Sequence, residues 1–186
     1  MEQDLNFKYL GVLSIAFIVV VGVYILKRWP ADKRGTFSEH VAKHRSAFII
    51  FALSLTLSTF LYYAFLWFWV GPHLDVSIFY YWGLLIAFIP QLIFTWIPAD
   101  DGLNKLAHTA TASLVGIMMP VLVVIILLSS TALSLISITL GWIFVISSVA
   151  GLVAYMIKKA NIRHLLLYEI TYFVYFWSLI NIFAYS

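Results

Sequence analysis

The stretch Leu106–Leu128, LAHTATASLVGIMMPVLVVIILL, decides the fold. It carries no Asp, Glu, Lys or Arg and is longer than the ~20 residues an α-helix needs to cross a ~30 Å hydrocarbon layer. Five further stretches of the same kind flank it: Tyr9–Leu26, Ser46–Val70, Ile78–Ile97, Ala132–Met156 and His164–Ala184. The composition agrees, with 63% hydrophobic and 10% charged residues and a mean hydropathy of +1.00. A chain of 186 residues with so little polar surface cannot face water all round. The expected fold is an all-α integral membrane protein, a single bundle of six transmembrane helices spanning residues 1–186. The longest polar segment, Lys27–Arg45, is too short to bury a core of its own. There are no cysteines, which excludes disulfides and thiolate metal sites.

Charge placement sets the expected topology. Ten of the eleven Lys and Arg residues fall in alternate loops: Lys27, Arg28, Lys33, Arg34, Lys43 and Arg45 in the first, Lys105 in the third, and Lys158, Lys159 and Arg163 in the fifth. Basic residues of short loops stay in the cytoplasm. Loops 27–45, 98–105 and 157–163 are therefore expected there, with both termini outside, in the cell inner (cytoplasmic) membrane. Glu2 and Asp4 precede the first span and the basic cluster follows it, the reverse of a secretory signal, so that span is expected to be retained. Attraction of the basic loops to anionic headgroups explains the pI of 9.1 without a nucleic-acid partner.

Within the spans, small residues mark expected helix contacts. Ser134, Ser137, Gly141, Ser148 and Gly151 of the fifth span are expected to meet Thr109, Ala112, Ser113 and Gly116 of the fourth. Tyr62, Tyr63, Phe65, Trp67, Phe68, Trp69, Tyr80, Tyr81 and Trp82 read as an interfacial aromatic belt. Pro90 and Pro120 each remove a backbone donor and free a carbonyl one turn back, and Gln91 is placed to satisfy such a group.

The candidate site residues gather toward the cytoplasmic half: Asp100 and Asp101 in the third loop, His108 one turn into the fourth span, and Glu169 about 9 Å along the last helix from Arg163. A carboxylate inside a span is costly and marks a paired or functional group. His40 and His44 stand four residues apart, a spacing that fits a divalent metal, although no Glu lies between them and Lys43 and Arg45 oppose a cation. A solvated basic entry to the second span is the favoured reading there. His40, His44, His108 and His164 form the weak candidate metal set, His108 and His164 are the thin candidates for a haem axial pair, and no cofactor is otherwise expected. No phosphate-binding loop, Gly-x-Ser-x-Gly elbow or Cys nucleophile is present.

Pro98-Ala99-Asp100 ending the third span, followed by His108 and later by Glu169, resembles the short signature of an uncharacterised bacterial six-span family related to the Frag/DRAM/Sfk membrane proteins. That signature carries Phe before the proline, where this chain has Ile97. The resemblance implies a six-helix bundle with a polar cluster at one membrane face and roles around lipids. Three functions follow as expectations. The first is a module that binds membrane lipids, a membrane-protein partner or a second copy of itself. The others are an intramembrane lipid-directed hydrolase using Asp100 or Asp101, His108 and Glu169 with a possible metal, and a small proton-coupled transporter titrating Glu169.

Overall fold

A computed structural model of the chain describes residues 7–30, 36–100, 102–158 and 165–185. Among the described residues the structure is all-α. Six long helices follow one another: α1 (Leu10–Arg28), α3 (Arg45–Phe65), α4 (Ile78–Trp96), α5 (Gly102–Ser129), α6 (Leu135–Lys158) and α7 (Leu165–Tyr185). A short helix, α2 (Phe37–Ala42), lies in the first loop. Five of these elements, namely α1, the continuous helical stretch Arg45–His73, α4, α5 and α6, are long and apolar enough to cross a membrane. They fit a multi-pass membrane protein, because a helix satisfies all its backbone polar groups internally where no water can.

The long helices form a ring. Each packs against the next in sequence, and α7 returns to α1 through the sparsest contact of the six. Glycines let backbones approach where the ring is tight. A Cβ on Gly11 of α1 would stand 2.7 Å from the buried ring of Phe65 on α3, and one on Gly141 of α6 would stand 2.8 Å from Leu127 of α5. A polar clasp reinforces the first pair: Ser14 Oγ donates to Ser58 O at 2.8 Å, and Ser58 Oγ donates back to Ser14 O at 3.2 Å.

Several boundaries differ from the sequence expectation for local reasons. The second span does not stop at Val70 but passes through a π-helical turn, Leu66–Val70, and on to His73. The turn at Asp75 then takes a left-handed backbone (φ 48°) that Asp tolerates. α6 starts at Leu135 rather than Ala132, because Ser134 Oγ accepts the Ser137 amide at 3.2 Å as a helix cap. The aromatic cluster is part belt and part core: Phe68 and Trp82 are exposed, whereas Tyr62, Phe65 and Tyr80 are buried.

The two small-residue faces do not meet along their length. Thr109, Ala112, Ser113 and Gly116 of α5 line an internal cavity instead, while Ser137, Gly141 and Ser148 of α6 are buried. Pro120 accounts for part of this. It cannot donate to the carbonyl of Gly116 four residues back, and that carbonyl accepts the Tyr172 hydroxyl of α7 at 2.6 Å. The side chain that satisfies the group freed at Pro120 thus comes from across the ring, from Tyr172.

Gly11 and Gly22 lie on the same helix in opposite circumstances, since a Cβ on Gly22 meets nothing within 4 Å. Gly11→Ala is expected to lower the thermal midpoint followed by circular dichroism in detergent, costing about 1–3 kcal/mol through overpacking. Gly22→Ala is expected to leave the midpoint unchanged or raise it, by at most about 1 kcal/mol of helix propensity.

Candidate functional site

The site is built from the first loop inward. Thr36-Phe37-Ser38-Glu39 closes a capping box: Glu39 N donates to Thr36 Oγ1 at 3.1 Å, and Thr36 N donates to the Glu39 carboxylate at 3.0 Å. This makes α2 a helix despite its six residues. Its inner face is buried through Ser38, His40 and Val41. His40 is not a solvated entry residue, being only 5% exposed; its Nε2 donates to Trp29 O at 2.6 Å, since a carbonyl can only accept.

From this position α2 reaches two helices across the ring. Lys105 Nζ of α5 lies 2.7 Å from Glu39 Oε1. The Phe37 amide, left without an intrahelical acceptor at the start of α2, donates to the Glu169 carboxylate of α7 at 2.8 Å. These contacts put the first loop, the start of α5 and the start of α7 at one end of the ring. Burial opposes ionisation of Glu39, but the Lys105 ammonium, the Thr36 amide and the nearby Lys43 charge outweigh it and hold the carboxyl below its ordinary value.

Behind this polar end lies a cavity of about 530 Å³, within the ~300–1,000 Å³ of small-molecule sites. Glu39, Lys105, His108 and Glu169 border it at the α2 end, and Tyr62, Leu66 and Leu122 border its deeper, apolar part. Val19 and Val23 of α1 and Val174 of α7 line it and are also exposed, and α1 and α7 share the sparsest contact of the ring. At the opposite end of the ring the same two helices are tied, with the Tyr185 hydroxyl donating to Lys8 O at 2.6 Å.

The sequence candidates divide around this cavity. His108 and Glu169 both line it. His108 Nδ1 donates to Ile97 O at 2.7 Å, which fixes the turn after α4. Asp100 is exposed in that turn, and Asp101 and His164 lie outside the described residues. His40 and His44 face each other with ring centroids 6.1 Å apart, but His40 Nε2 is occupied by Trp29. Among the described residues no three His, Asp or Glu side chains gather as a metal site. Glu39 and Lys105 were not candidates by sequence, although Thr36-x-x-Glu39 is a helix-start signature that pointed to α2.

No family model, curated protein or solved structure matches the chain. The resemblance noted above therefore rests on Pro98, Asp100, His108 and Glu169 alone.

Because Glu39 is held below its ordinary value, its ion pair stabilises α2 above the usual carboxylate range and is lost as pH falls through the folded value. Hydrogen exchange of residues 36–42, corrected for intrinsic rates, is expected to accelerate between pH 5 and pH 3, as pH windows of about that position follow from a lowered Glu. Lys105→Ala is expected to give the faster exchange already at pH 7.

Proposed function

We propose that the chain is a non-enzymatic six-span module that holds one lipid-like amphiphile drawn from the surrounding bilayer. The observation that carries this reading is the chemistry of the cavity: apolar along its depth, polar at one end, and bordered by exposed residues of α1 and α7, whose sparse contact is the entry we propose. A chain entering sideways never leaves hydrocarbon, so the hydrophobic driving force need only offset ordering and not transfer through water. Its head then rests against Glu39, Lys105, His108 and Glu169.

Topology supports the same reading. In the proposed arrangement α7 is the sixth span, and its one carboxylate is satisfied by the Phe37 amide. Loops 27–45, 98–105 and 157–163 face the cytoplasm of an inner membrane and the termini lie outside. The linkage of Phe37 to Glu169 and of Glu39 to Lys105 brings the first loop and the starts of α5 and α7 to one level, as loops sharing one membrane face require. The polar end of the cavity is then at headgroup depth on the cytoplasmic side.

Gly22 and Gly116 both line the cavity and both have open space where a Cβ would stand. Gly22→Leu with Gly116→Leu is expected to fill the cavity while preserving the thermal midpoint. Native mass spectrometry of protein released from lipid nanodiscs should show a retained lipid in the wild type and at least a tenfold lower occupancy in the double variant. Equal retention by a folded double variant would remove the cavity as the binding place.

A further inference from the structure

We propose that the polar end of the cavity selects an amphiphile whose head is a single ammonium group, seated between Glu39 and Glu169. This rests on the lipid-binding reading and adds the class of head group.

Among the described residues the charged side chains lining the cavity are Glu39, Glu169 and Lys105, two carboxylates to one ammonium, although the whole chain has a net charge of +3. The two carboxylates accept from adjacent backbone amides, Glu39 from Thr36 at 3.0 Å and Glu169 from Phe37 at 2.8 Å, which places like charges side by side. A cation between them converts that repulsion into two attractions, in surroundings where Coulomb energies exceed those in water. An anionic head would add a third negative charge against one lysine, and a hydroxyl would gain hydrogen bonds without relieving the repulsion.

Lys105 shows that an ammonium is accommodated at this place, with its Nζ 2.7 Å from Glu39 Oε1. Glu169 accepts one amide, from Phe37, and among the described residues no lysine, arginine or histidine forms an ion pair with it. His108 lines the same space. Carboxylate oxygens of Glu39 and Glu169 thus border the space for the N–H bonds of a primary ammonium. A bare inorganic cation would satisfy the carboxylates but would leave the apolar part of the 530 Å³ cavity unfilled. The basic residues Lys27, Arg28, Lys43 and Arg45 are exposed and do not line the cavity.

The test uses the full chain in an uncharged maltoside detergent at pH 7, titrated with dodecylamine, dodecanol and dodecanoic acid and followed by intrinsic tryptophan fluorescence. Dodecylamine is expected to bind at least tenfold more tightly than dodecanol, and dodecanoic acid more weakly than either. Glu169→Gln keeps an acceptor for the Phe37 amide, and Glu39→Gln keeps the capping box. Each is expected to remove the amine preference, so that dodecylamine and dodecanol bind the same variant within about twofold of one another. Dodecanoic acid binding as tightly as dodecylamine would overturn the head-group assignment and leave lipid binding standing. So would an amine preference that survives both Gln variants, or a calcium ion that binds tightly and displaces dodecylamine. Binding of none of the three chains, or binding unaltered by Gly22→Leu with Gly116→Leu, would instead overturn the lipid-binding reading itself.

Discussion

A carboxylate placed where the dielectric is low must find a partner, and among the described residues the partner of Glu169 is a backbone amide rather than a basic side chain. The amide belongs to Phe37, the first residue of α2, where the helix has no acceptor to offer it. One hydrogen bond of 2.8 Å therefore disposes of two otherwise costly groups and joins residues 132 positions apart. The consequences run outward from it. α2 is drawn over the end of the ring, Glu39 is presented to Lys105, and α7 is fixed to the first loop although its contact with α1 is the sparsest in the ring.

The cavity follows from where side chains are missing and where the backbone bends. Gly22 and Gly116 leave open space on facing helices, and Thr109, Ala112 and Ser113 keep the α5 wall small. Pro120 would ordinarily leave an unsatisfied carbonyl in the middle of that wall. Tyr172 reaches from α7 to satisfy it, and in doing so holds α7 at a tyrosine's length from α5. The same substitution that weakens helix α5 locally thus spaces the ring and preserves the volume inside it. Elsewhere Gly11 and Gly141 act in the opposite sense, closing α1 onto α3 and α5 onto α6.

The long helices were legible from sequence because a continuous apolar run has one low-energy solution in lipid, and the caps shift its ends by only a few residues. Glu169 and His108 were legible as residues too polar for their surroundings, and both border the cavity. What the sequence hid were relations between distant segments. Small-residue spacing shows that a face is small, but not whether it meets a helix or a cavity, so the α5 face was expected against α6. Nothing local in Tyr172 announces that it serves Pro120, and nothing in Ser14 announces Ser58. Glu39 went unread as a site residue: it is a capping residue whose other oxygen takes Lys105.

Two populations of charge coexist at one end of this protein, and distance separates their effects. The exposed basic residues, Lys43 and Arg45 among them, act through solvent, where attraction is screened over about 8 Å at physiological salt. They bear on how the loops sit against a membrane surface, which is a matter of net charge and leaves the contents of the cavity undetermined. Glu39 and Glu169 are half-buried and act at contact distance, where one hydrogen-bonded charge outweighs several screened ones. A basic rim and an acidic lining are therefore compatible: in the proposed function the rim would govern orientation in a bilayer and the lining would govern which head group is held.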